Sequence, residues 1–113
     1  MLPRKNRLRL QKDFTYIFKK GRTINSSALL IKSIKTQAPN NRFGIIISNK
    51  ISKKAVERNK IRRRIKSWIN KNQTKIKKGF DIIIITKKNI LNYSYLETEQ
   101  ELLQMFKKTG LIK

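Results

Sequence analysis

The sequence predicts an α+β sandwich, one small mixed sheet with helices packed on it, in the order α-β-β-β-α-β-α. Three observations carry that reading. The isoleucine runs Ile45-Ile46-Ile47 and Ile82-Ile83-Ile84-Ile85 read as strands, and the second, apolar at every position, suits a central strand covered on both faces. The segment 54–71 contains neither glycine nor proline and spaces its apolar residues as a helix does. Ser94-x-x-Glu97 fits a capping box that opens a last helix. A length of 113 residues suits a single domain over 1–113 with one core.

The elements follow in order. Asp13 can cap a short helix running to about Lys20, with Phe14, Ile17 and Phe18 on one face and Gly21 as its stop. Thr23-Ile24-Asn25 reads as a short strand and residues 28–34 as a longer one. Gln37-Ala38-Pro39-Asn40-Asn41 is a turn by composition, so Arg42 to Ser48 is expected to pair with 28–34 as a hairpin. The helix of 54–71 comes next, then the strand Phe80–Thr86. The last helix carries Leu96, Leu102, Leu103 and Phe106 as its apolar stripe and ends before Gly110.

Charge narrows the function. The chain has 29 Lys+Arg against 6 Asp+Glu, a formal net charge of +23, and residues 89–113 contribute none of the excess: Lys107, Lys108 and Lys113 balance Glu97, Glu99 and Glu101. Residues 50–66 hold nine basic residues, among them Lys50, Lys53 and Lys54, and one acid, Glu57. A small fold with such a stripe repels itself and calls for a polyanionic partner. Cysteine and histidine are both absent, which removes thiolate chemistry, cysteine-based metal sites and the commonest general base. The remaining acids of the basic part, Asp13, Glu57 and Asp81, are scattered over different elements. We therefore expect no catalytic residue and no metal ligand on this chain. The longest strictly apolar run is four residues, and no apolar stretch follows the basic N-terminus, so neither a membrane span nor a secretory signal is expected and the default location is cytoplasmic.

A helical wheel separates the faces of 55–69. At 100° per residue from Ala55, Ile61, Ile65, Trp68 and Ile69 fall between about 220° and 320°, the face turned to the sheet. Arg58, Asn59, Arg62, Arg63 and Lys66 form a continuous basic ridge along one flank, while Lys60 and Arg64 point to the far side. Arginine forks match phosphate oxygens, and Asn59 adds an amide among the cations. A solvated amphipathic helix is the plain reading of any lone charge run; the chain-wide excess of cations weighs against it here.

Arg58-Asn59-x-x-Arg62-Arg63-x-x-Lys66, preceded by Ala55-Val56, resembles the RNR signature of the bacterial ribonuclease P protein component. Arg7-Leu8, then Asp13-Phe14-x-x-x-Phe18-x-x-Gly21, is similar to that family's N-terminal element, and Gly79-Phe80-Asp81-Ile82-Ile83-Ile84 to its last strand. The resemblance implies a fold like the second domain of ribosomal protein S5, with a left-handed βαβ crossover through the RNR helix. It implies an accessory subunit of a ribozyme that removes 5′ leaders from precursor tRNA. The partners would be ribonuclease P RNA and precursor tRNA, with no membrane and no small-molecule substrate. The RNA subunit would do the chemistry with bound Mg2+, the protein binding no cofactor. The RNR helix would lie against the catalytic RNA, and a cleft between sheet and first helix would hold the single-stranded leader. By position that cleft receives Phe14, Phe18 and Lys32, the last where many relatives place an aromatic, which implies more phosphate contact and less stacking. Phe14 and Phe18, four apart, equally suit packing of a helix onto a sheet.

Two other classes fit parts of this pattern. A small ribosomal-type structural RNA-binding protein shares size, charge and fold class, and only the RNR stretch with its flanking elements separates it. A peripheral protein on anionic membranes would need an exposed apolar helix face, whereas Ile61, Ile65, Trp68 and Ile69 are required to cover the isoleucine-rich strand.

Overall fold

The computed structural model describes residues 3–112. Its elements are α1 (Gln11–Lys20), β1 (Arg22–Asn25), β2 (Leu29–Lys35), β3 (Arg42–Ile46), α2 (Ala55–Asn72), β4 (Phe80–Thr86) and α3 (Tyr95–Thr109), with short 3-10 turns at Arg4–Asn6 and Lys88–Asn92. This is the α-β-β-β-α-β-α order that the sequence predicts. The strands form one sheet in the order β1-β2-β4-β3, antiparallel except for the parallel pair β3/β4 that α2 joins.

The expected hairpin between β2 and β3 does not form. β4 lies between them, pairing Ile31 with Ile84 on one side and Ile45 with Ile84 on the other. A strand apolar on both faces belongs at the centre, and the intervening segment is built to let it in. The Thr36 N–H donates to the Gly79 carbonyl at 2.7 Å, and Asn41 brackets the start of β4, donating to the Lys77 carbonyl at 2.8 Å and accepting from the Phe80 N–H at 2.9 Å. The turn residues at 37–41 therefore arch over the entry to β4. Asn41 is buried, with both ends of its amide satisfied.

The pleat divides the sheet into two faces. Ile31, Ile82 and Ile84 join the large core under α2 and α3, where Ile61, Ile65, Trp68, Ile69, Leu102 and Phe106 are buried, as the wheel requires. Trp68 and Phe106 meet there with ring centroids 4.9 Å apart. On the other face Ile83 is fully buried with Leu8 and Ile17, beneath α1 and the N-terminal arm.

The ends of α3 follow its sequence. Ser94 accepts from the Glu97 N–H and Glu97 accepts from the Ser94 N–H, completing the capping box, while Gly110 closes the helix at φ 81°, a conformation that favours glycine. The expected cap of α1 is absent. Leu10 occupies the cap position without a side-chain bond, and Asp13 sits in the first turn, drawn instead to Arg42.

Candidate nucleic-acid interface

On the face carrying α1, cross-strand partners make rows. Thr23, Lys32, Ile83 and Gly44 form one, and Asn25, Leu30, Ile85 and Ile46 the next. Ile83 is fully buried, whereas Leu30, Ile85 and Ile46 are each only half-buried. The sheet thus leaves an apolar floor partly open beside α1. The family resemblance implied a cleft there with Phe14, Phe18 and Lys32, and did not include Leu30, Ile46 and Ile85. Their signal was period-two alternation within runs that were otherwise apolar throughout, so nothing in the one-dimensional pattern marked one face as open.

The three predicted cleft residues have different surroundings. Phe18 is 41% exposed, and Lys32 Nζ lies 5.9 Å from its ring centroid. Lys32 also donates to Thr23 Oγ1 at 2.8 Å and to the Phe18 carbonyl at 3.3 Å, so two of its three donors are used within the protein. Those bonds brace the C-terminal end of α1 against the sheet. Phe14 is half-buried in the small core with Ile17 and Ile83, its ring resting on Gly44. Glycine inside a strand costs about 0.5–1 kcal/mol relative to alanine. Gly44 lies outside the positive-φ region, so its role is to admit the ring.

The basic ridge occupies one flank of α2. Arg62 and Lys66 are half-buried and face the β3 edge, where with Arg7, Arg9 and Phe14 they line a pocket of about 190 Å3 that no carboxylate enters. Arg7 contributes an Nε that is buried with no partner among the described residues. Asn59 and Arg63 are exposed, and the Asn59 Oδ1 lies 3.5 Å from Arg62, the outer limit of a hydrogen bond. Arg58 stands at the head of the ridge and donates to the Ser52 carbonyl at 2.7 Å, while Glu57 accepts from the Ser52 hydroxyl. The first arginine of the motif therefore also fastens the loop that presents Lys50, Lys53 and Lys54, all exposed.

The far flank behaves differently. Arg64 donates to the Tyr93 carbonyl at 3.0 Å and lies 5.9 Å from the Tyr95 ring, joining α2 to the start of α3. Tyr95 receives Lys71 at 3.2 Å and exchanges a hydrogen bond with Ser67, contacts that lower its pKa, and bonds to Tyr95 and Glu99 raise that of Lys71. Lys60 is exposed.

Two of the carboxylates that the sequence scatters come together in space. Arg42 makes a bidentate pair with Asp81, at 2.9 and 2.7 Å, and reaches Asp13 at 3.4 Å. The bond to Asp81 is the main reason the Arg42 pKa is raised. Both acids are committed to tying α1 and β4 to β3. No group of three or more acidic residues that could hold a metal ion occurs among the described residues.

A small α+β scaffold carrying an open aromatic and aliphatic cleft next to a cationic helix flank has the make-up of a protein that binds single-stranded nucleic acid. The comparisons give the family. The family model described as Ribonuclease P matches residues 2–110. The chain is 38% identical to the ribonuclease P protein component of Synechocystis over 98% of its own length and 90% of that protein's. It is 32% identical to that of Bacillus cereus strain Q1, over 97% and 96%. The RNase P protein of Staphylococcus aureus superposes with a TM-score of 0.90 at 26% identity, covering 96% of this chain and 98% of that one. That of Thermotoga maritima gives 0.83 at 31%, covering 90% and 96%. This chain belongs to the ribonuclease P protein family. Its role is that of the protein subunit in processing tRNA 5′ ends, an accessory part of a ribonucleoprotein endonuclease, and the ribosomal-type alternative is set aside. No helix among the described residues is long and apolar enough to cross a membrane.

Proposed function

We propose that this chain binds ribonuclease P RNA along the Arg58–Lys66 flank of α2 and holds the 5′ leader of precursor tRNA in the cleft between α1 and the sheet. The observation that carries this reading is the pocket at the β3 edge, where Arg62 and Lys66 of the ridge and Phe14 of the cleft line one cavity. One strand of RNA leaving the cleft would meet the ridge without crossing an acidic surface. Phosphates would go to the arginine forks and lysines, and bases to Phe14, Phe18 and the floor of Leu30, Ile46 and Ile85. Mg2+ would be bound by the RNA subunit, which would supply the chemistry. The protein's own residues would orient the leader, neutralise phosphate charge and leave no general base near the scissile bond. A cytoplasmic location fits such partners.

The test is reconstitution. At Mg2+ concentrations too low for the RNA to act alone, adding this protein should restore cleavage of precursor tRNA at the mature 5′ end. Failure to restore it with ribonuclease P RNA would end the proposal.

A further inference from the structure

We propose that Gly44 is a positioning residue for the precursor's leader, a reading that rests on the leader cleft proposed above. A Cβ built on Gly44 would stand 2.6 Å from Cε1 and 2.7 Å from Cζ of Phe14, and 3.4 Å from Cδ1 of Leu8. Distances below 3.0 Å do not persist between real Cβ atoms and their neighbours, so any side chain here would lift the Phe14 ring off β3. The glycine is not needed by its backbone, because its φ is not positive. A position in the interior of a strand next to Ile83 would ordinarily carry a β-branched residue. What the missing side chain admits is one ring at one height. At that height Phe14 lines the pocket of Arg62 and Lys66 while staying half-buried beside the half-buried Ile46 and Ile85. The depth of the junction between cleft and ridge is therefore set by a residue that lines the pocket with backbone alone and offers RNA no side chain. Gly44 acts through Phe14, and the property it controls is preference for substrate with a leader over mature tRNA.

The experiment compares the affinities of the reconstituted holoenzyme for precursor and mature tRNA, with thermal unfolding of each protein measured in parallel. Gly44→Ala should reduce the precursor-to-mature ratio by roughly 5-fold or more, the loss expected when one base loses its stacking partner. Binding of mature tRNA should stay unchanged. Gly44→Ala combined with Phe14→Leu removes the colliding ring atoms, so it should regain thermal stability and show the ratio of Phe14→Leu alone, because the glycine acts only through the ring. A purely structural role predicts that Gly44→Ala lowers stability and leaves the ratio unchanged. An unchanged ratio in Gly44→Ala, or a ratio in the double variant below that of Phe14→Leu alone, overturns the assignment. If Gly44→Ala alone does not fold, the comparison of the double variant with Phe14→Leu decides. Wild-type holoenzyme that does not distinguish precursor from mature tRNA would instead overturn the cleft itself, and that outcome is visible before any variant is made.

Discussion

Phe14 and Phe18 lie four residues apart on one helix, and the sequence could not separate an RNA contact from a core contact at either. The fold separates them by what lies beneath each ring. Phe14 has Gly44 under it, and Phe18 has the Lys32 ammonium beside it and 41% of its surface open. Phe18→Ala should therefore lower the precursor-to-mature preference by roughly 5- to 100-fold, the worth of stacking on one base. It should change stability by only about 1 kcal/mol or less, since the residue belongs to neither hydrophobic cluster. Phe14→Ala should lose both preference and stability, because its ring also closes the small core. Denaturant unfolding beside tRNA binding checks the pair. A Phe18→Ala protein with normal preference would show that the exposed ring faces water alone. At Asp81 the effect is purely one of stability. Asp81→Asn leaves Arg42 without its bidentate partner and should cost about 1–3 kcal/mol, toward the lower end because the arginine is partly solvated.

At the scale of elements, α2 and α3 were legible because their signals are local. Ile61, Ile65, Trp68 and Ile69 mark a buried face by spacing alone, and Ser94 with Glu97 marks a cap. Strand order was not legible. Pairing of β2 with β4 depends on contacts such as Thr36 to Gly79 and Asn41 to Phe80, some 40 residues apart, which leave no periodic trace in the chain. The open floor of Leu30, Ile46 and Ile85 was hidden for the same reason, since which face is covered depends on where α1 crosses. The two flanks of α2 were legible as directions but not as roles. Replacing Arg62 and Arg63 together by alanine should weaken assembly with ribonuclease P RNA while leaving unfolding nearly unchanged. Lys60→Ala should do little to either. Arg64→Ala should lower stability by about 1 kcal/mol, because it gives up a bond to the Tyr93 carbonyl that joins two helices. If Arg64→Ala and the ridge double variant weakened assembly equally, the division of the helix into flanks would be wrong. The α3 cap makes a pH prediction. Backbone and side-chain bonds at Ser94 hold the Glu97 pKa below its ordinary value. A depressed carboxylate stabilises the fold above its unfolded pKa, so that contribution is full near neutrality and is lost as pH falls through the folded value. Thermal unfolding between pH 7 and 3 should show wild type losing an increment that Glu97→Gln, which cannot titrate, does not lose.

The whole molecule is a polarised charge. Its net +23 lies before residue 89, and the three acids in that part do not neutralise the ridge: Asp13 and Asp81 are paired to Arg42, and Glu57 is held by Ser52. α3 carries none of that excess, with Lys107 and Lys108 following Glu97, Glu99 and Glu101 for a net of −1. Such a body can lie against RNA on one side and water on the other. If about six phosphates are neutralised, the log–log slope of RNA affinity against salt should be roughly −4 to −5. A slope shallower than about −1 would place the charge outside the interface. The same polarity sets the division of labour. Without histidine or cysteine, and with its basic-side acids engaged by neighbours, the protein is predicted to contribute electrostatics and no general base. The free protein should leave precursor tRNA intact at every Mg2+ concentration. Its addition should instead lower the Mg2+ at which ribonuclease P RNA reaches half its maximal rate, because protein cations then replace part of the counterion charge that folded RNA requires. That shift should shrink as monovalent salt rises and should be smaller in the Arg62/Arg63 double variant. Accurate 5′ cleavage by protein freed of RNA, or an Mg2+ requirement indifferent to the protein, would contradict an electrostatic role for the whole surface.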